Sequence, residues 1–205
     1  MKKPRQHYAG GASLLRFTKK QFDGRTKRQA KKGAVYRIYF YEQVTEHTFL
    51  SEILQEAWFR YGQQIEVLKS EIDAYGFDLV LECNGVLRHI QLKTSEKRAG
   101  RKQIVSLKLA KKSNWCVIWM LRDEDRDSKR MKLTYLFFGV IVAASRLNWI
   151  APNLEDDSKY SVALNPRSKT PRQNSIEVHN KEFYPPISPT GALTITQLLN
   201  LLFGL

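Results

Sequence analysis

Three residue types able to act together on a phosphate ester stand close in one stretch of this chain, GFDLVLECNGVLRHIQLKTS: the carboxylate of Asp78, the side-chain amide of Gln91 and the ammonium of Lys93. Carboxylate and amide oxygens are hard donors of the kind that hold Mg²⁺. That ion keeps several of its waters and needs only one or two protein oxygens beside a substrate phosphate. It polarises a phosphoryl oxygen and lowers the pKa of bound water. An ammonium beside it orients or deprotonates that water, or neutralises charge developing on phosphorus. The chemistry suggested is phosphodiester hydrolysis with Mg²⁺, or with Mn²⁺ as a substitute.

Those groups meet only if the chain reverses between them. Asn84-Gly85 lies between two β-prone runs, and a two-residue type I′ turn needs positive φ at both central residues, which Asn and Gly supply. Counting from that turn predicts Cys83 opposite Val86, Glu82 opposite Leu87, Val80 opposite His89 and Asp78 opposite Gln91. Side chains alternate along a strand and directly opposed residues share a face. One face then carries Leu79, Leu81, Cys83, Val86, Ile90 and Leu92, interrupted by Arg88. The other carries Asp78, Val80, Glu82, Leu87, His89, Gln91 and Lys93. Gly76 leaves room for a bulge or a close backbone approach.

Asp, a hairpin and then (Glu/Gln)-x-Lys, here Asp78 and Gln91-Leu92-Lys93, resembles the signature of the PD-(D/E)XK nuclease superfamily, the restriction-endonuclease-like fold. Asp73-Ala74-Tyr75-Gly76-Phe77-Asp78 after a helix ended by glycine is similar to the wider pattern, in the branch of Holliday-junction resolvases and restriction-type enzymes with a Gln-x-Lys variant. The resemblance covers roughly residues 45 to 140. It implies Asp78 as central metal ligand, Gln91 and the Leu92 carbonyl as further ligands, Lys93 as catalytic ammonium and a helix carboxylate, Glu52 in preference to Glu56. It implies DNA as substrate and a 5′-phosphate product. A homodimer is expected because cutting both strands of a duplex or junction needs two sites related by symmetry. Gln91 in place of the commoner Glu removes one charge, which would weaken metal binding or call on Glu82.

The remainder of the chain fits a nucleic-acid partner. There are 34 Lys and Arg against 20 Asp and Glu, a formal net charge of +14. So large an excess attracts polyanions, nucleic acid before anionic membrane. Residues 1–33 read as a flexible basic arm with at most a short helix, a solubilising tail or a phosphate-binding segment through Lys19, Lys20, Arg25, Lys27, Arg28, Lys31 and Lys32. Lys97, Arg98, Arg101 and Lys102 follow the motif and are placed to line a substrate groove. Thr48 to Tyr61 has helical apolar spacing closed by Gly62. Trp58, Trp115 and Trp119 read as core. Trp115 to Leu121 and Leu133 to Val142 read as buried strands joined by a charged loop, Arg122 to Lys132. Ile104 to Lys112 is left open between strand and loop.

The expected fold class is α/β, a restriction-endonuclease-like core with a central mixed β-sheet of four to five strands flanked by helices. Residues 34–150 would form that core, and 151–205 an irregular extension ending in a short apolar helix. No N-terminal apolar run is long enough for a secretory signal, and no run is long enough to span a bilayer. The two cysteines, Cys83 and Cys116, sit inside apolar runs, as buried thiols of a reducing compartment do. The chain thus reads as cytoplasmic, without a membrane partner and without a zinc site. Restriction or defence, mobile-element processing and junction resolution fit, as does a partner subunit in a larger DNA-processing complex. The alternatives are a catalytically inactive nucleic-acid-binding module of the same fold and a basic RNA-associated protein.

Overall fold

Helix α1 runs from Gly24 to Tyr61. It stops where Gly62 takes φ 64, with the Gly62 amide closing onto the Trp58 carbonyl at 3.0 Å, the left-handed termination that glycine makes cheap. Its start differs from expectation. Gly24 to Gly33, assigned to a flexible arm, has helical backbone, and Tyr36 to Phe40 continues it. The computed structural model describes residues 24–70, 75–96, 101–125, 127–141, 152, 154, 159–166, 168–185 and 191–205, with side chains from residue 38 onward. The chain divides into two compact units, Met1–Phe40 and Tyr41–Leu205. Among the described residues, the strands, the second helix and the hydrophobic core belong to the latter.

After α1 come β1 (Glu66–Lys69), β2 (Leu79–Cys83), β3 (Val86–Glu96), β4 (Lys102–Ser106), a 3-10 helix (Leu107–Lys111), β5 (Trp115–Asp125) and β6 (Arg130–Gly139). Beyond them lie β7 (Ser161–Leu164), β8 (Pro171–His179), a short 3-10 turn (Asn180–Glu182) and α2 (Ile195–Phe203). A five-stranded sheet has the order β1-β2-β3-β5-β6. Its β3–β5 pair is parallel and its other pairs are antiparallel. The mixed α/β architecture and the strand number agree with the sequence reading.

Each face of this sheet has its own core. On one, Phe49, Ile53 and Ala57 of α1 and Leu198, Leu199 and Leu202 of α2 pack on Leu79, Leu81, Ile90, Ile118, Tyr135 and Phe137. On the other, Val105, Leu109, Ile176, Val178 and Phe183 cover Trp115, Val117, Trp119, Leu136 and Phe138. Both α-helices in these clusters therefore lie on one face. The second face is covered by a three-stranded sheet, β4-β8-β7.

That sheet corrects the expectation of an irregular 151–205 segment. In β8 only Ile176 and Val178 are buried among polar neighbours, so a single apolar pair carries the packing and no long periodicity appears. The charged loop is likewise shorter than expected: β5 and β6 pair out to Asp125↔Arg130, because a two-stranded ribbon standing in water needs no apolar face. The open segment Ile104 to Lys112 is strand to Ser106 and 3-10 helix beyond it. Trp115 and Trp119 are core, but Trp58 is 51% exposed, since the buried stripe of α1 narrows to Phe49, Ile53 and Ala57. Arg88, fully buried on the helical face, donates from Nη2 to the Val140 carbonyl at 2.5 Å. α2 ends the chain as expected, with a Thr194–Gln197 capping box and Gly204 left-handed at its C-cap.

Candidate active site

The β2–β3 hairpin forms as counted. Cys83 faces Val86, Glu82 faces Leu87, Val80 faces His89, and the ladder reaches Leu79 opposite Ile90. Asn84 and Gly85 take φ 52 and 76, as a type I′ turn demands. Glu82 closes the turn: its carboxylate accepts from the Gly85 amide at 2.6 Å, so it acts on the loop and not at the distant end of the hairpin.

Beyond Leu79 the geometry departs from the counted register. The Asp78 amide donates to the carbonyl of Ile90 at 2.8 Å, the residue that Leu79 already faces. Asp78 and Leu79 thus share one partner, the two-against-one pattern of a β-bulge, and the expected direct Asp78–Gln91 opposition is not formed. Instead the Asp78 carboxylate swings to β3, where Oδ2 accepts from the Leu92 amide at 2.7 Å. In a strand a residue's N–H and C=O point to the same edge. The Leu92 carbonyl is therefore directed toward the side that β2 has vacated, with the Asp78 carboxylate beside it. Gly76 makes this departure sterically feasible. Its φ is 78, and a Cβ there would stand 2.3 Å from the Ser106 Cβ.

Gln91 and Lys93 lie on the sheet face opposite the helices, beside Val117 and Trp119 in the parallel register. Gln91 is only 7% exposed, and its Oε1 accepts from the Ser106 amide at 3.2 Å. The oxygen expected to face a metal thus ties β3 to the end of β4. Lys93 is half-buried. On the same face Ser95 accepts from the Trp119 indole at 2.8 Å.

Glu52 is not gathered with this set. Its carboxylate accepts from the Tyr135 hydroxyl at 2.5 Å, on the helical face and over β6, two strands away from β3. Burial first, then Glu52, pushes the Tyr135 hydroxyl well above the usual phenol range, so Tyr135 keeps its proton and donates. Glu56 is engaged by Thr196 of α2 and by Arg60. Among the described residues no group of three or more His, Cys, Asp and Glu is placed to share a metal. The oxygens that suit a divalent cation are the Asp78 carboxylate and the Leu92 carbonyl. Two such donors are enough for Mg²⁺ that keeps its waters and meets a substrate phosphate.

No family model, curated protein or solved structure matches the chain. The functional reading therefore rests on this geometry.

The basic residues expected to meet phosphates are divided. Lys19, Lys20, Lys97 and Arg98 lie outside the described residues, while Arg25, Lys27, Arg28, Lys31 and Lys32 ride on the helical backbone of α1. Arg101 is exposed, and Lys102 pairs with Glu177 at 2.6 Å. A set of contacts around the segment before Asp78 is not evident from sequence. Lys112 Nζ stands 4.0 Å from the Tyr75 ring centroid and 5.7 Å from that of Phe77. Phe77 meets the His89 ring edge-on at 5.1 Å. His89 is thus a packed residue, its Nδ1 donating to the Ser113 carbonyl at 3.1 Å, and burial holds its pKa below the usual value. The sequence signal for this group is the pair of aromatics flanking Gly76.

Proposed function

We propose that this chain is a metal-dependent endodeoxyribonuclease of restriction-endonuclease-like fold, hydrolysing the DNA backbone with Mg²⁺, or Mn²⁺ in its place. The observation that carries the reading is the bulge at Asp78, which sets a carboxylate at the Leu92 amide, one residue before Lys93. Asp78 and the Leu92 carbonyl would hold a divalent ion, which would supply Lewis acidity toward the scissile phosphate. Asp78 is itself held by the Leu92 amide, so its carboxylate is pre-oriented and little reorganisation accompanies substrate binding. Lys93 donates to a non-bridging phosphate oxygen and orients the attacking water. The net charge of +14 draws in the polyanion. Gln91 is a positioning residue through its bond to Ser106, and Glu52 a structural one through Tyr135.

Cutting both strands of a duplex calls for two copies related by symmetry, with 5′-phosphate ends as product. Restriction or defence, mobile-element processing and junction resolution in the cytoplasm all fit that reaction. One rival is favoured by a specific observation. With Gln91 turned to Ser106 and Glu52 turned to Tyr135, the same fold would serve as a nucleic-acid-binding module without chemistry. Supercoiled plasmid separates the two. The nuclease reading expects conversion to nicked and linear forms with Mg²⁺ and none with chelator; intact plasmid at saturating protein and metal, with an unchanged gel shift in chelator, establishes the binding module.

A further inference from the structure

Just before Asp78 in sequence the chain presents an aromatic patch that hydrolysis does not need. Tyr75 is 45% exposed, three residues before Asp78. The ammonium of Lys112 stands over its ring and lies near the Phe77 ring as well. Phe77 is braced by the edge of His89, and His89 by the Ser113 carbonyl. Gly76, between the two aromatics, is pressed against Ser106 so closely that a Cβ would not fit. The segment Tyr75–Phe77 is therefore held from both sides, against the start of the 3-10 helix and against the strand that bears Gln91.

A braced, half-exposed ring with an ammonium at its face matches the two halves of a nucleotide. The π-face takes a base, and the cation takes a phosphate. Inside a duplex both faces of each base are covered by its neighbours, so only an unstacked base can use such a ring. We propose that Tyr75, with Phe77 and Lys112, forms a stacking subsite for one unpaired nucleobase of single-stranded or frayed DNA next to the scissile phosphate. Its placement beside the cut rests on the nuclease reading; its capture of an unpaired base does not. The subsite gives the protein a preference for single-stranded, flapped or branched DNA over intact duplex. Lys111, exposed one residue before Lys112, extends the cationic border.

The test is equilibrium binding of the full chain in chelator, where nothing is cut, read by fluorescence anisotropy. The probes are a labelled single-stranded DNA oligonucleotide and the blunt duplex of the same sequence. Tyr75→Ala is expected to weaken single-strand binding at least about five-fold, the scale of one base–aromatic stack, and to leave duplex binding within about two-fold. Tyr75→Phe, which keeps the ring, is expected to bind as the parent does. A 2-aminopurine in the single strand should lose its quenching in Tyr75→Ala. Equal losses on both probes, no loss on either, or a Tyr75→Phe protein as weak as Tyr75→Ala would overturn the proposal. Selective loss of single-strand binding in a protein that never nicks plasmid keeps the subsite and removes the nuclease. Plasmid nicking with unchanged single-strand affinity in Tyr75→Ala does the reverse.

Discussion

The carboxylates of this chain differ in what holds them, and that difference assigns their roles. Asp78 is fixed by a backbone amide at the end of a strand, whereas Glu52 accepts a hydrogen bond from a buried tyrosine on the far face. Glu52→Gln is accordingly expected to cost about 1–3 kcal/mol in urea unfolding, since it weakens the acceptor of a buried hydroxyl, while plasmid cleavage by the folded protein stays within a few-fold. A cleavage loss as large as that of Asp78→Ala would return Glu52 to the catalytic set. His89 gives a pH signature. Its folded pKa is lowered by burial, then raised in part by the Ser113 bond and lowered by Lys112, so the folded state resists protonation. Above the unfolded value, about 6.5, it contributes no pH dependence. As pH falls below that value the unfolded chain takes up a proton that the folded chain does not, and stability is lost. His89→Gln should flatten unfolding free energy between about pH 7 and pH 5 relative to the parent; an unchanged slope would assign the loss to other groups.

At the scale of elements, the hairpin shows how far pattern reaches. Asn84-Gly85 and the period-2 alternation are enough to predict the register from Cys83↔Val86 to Leu79↔Ile90, because both are local properties of a two-residue turn. The last step, at Asp78, is not legible. Whether a ladder ends in a bulge depends on what the departing chain packs against, here Ser106 beneath Gly76, a contact between segments remote in sequence. The Gln91–Ser106 bond is of the same kind: periodicity places Gln91 on the right face but cannot name its partner. Gly76→Ala tests that contact. It forces a side chain into left-handed φ and onto Ser106, and should cost at least about 1–3 kcal/mol of stability. A fully stable Gly76→Ala protein would show that the loop has room to move, which would undo the bracing of Asp78 as well.

Over the whole molecule, composition suggests a partner class and misses the architecture of the second face. The apolar runs at Trp115–Leu121 and Leu133–Val142 announce buried strands, but β7 and β8 expose most of their side chains and so look like loop in a single sequence. The basic arm likewise conceals a helix, since α1 before Tyr36 lacks an apolar stripe. Removing residues 1–33 should weaken DNA binding and make its logarithmic salt dependence shallower by about 0.9 for each phosphate the arm neutralises; an unaltered slope would reduce the arm to a tail. No helix among the described residues is long and apolar enough to cross a membrane. A role for the bulge at Asp78, with Lys93 one residue beyond the Leu92 amide, in phosphodiester hydrolysis is measured by the single-turnover nicking rate of Lys93→Ala with Mg²⁺ at saturating protein. A fall of at least about 100-fold is expected, the scale of one catalytic charge, with DNA affinity nearly unchanged. Nicking at the parental rate would contradict it.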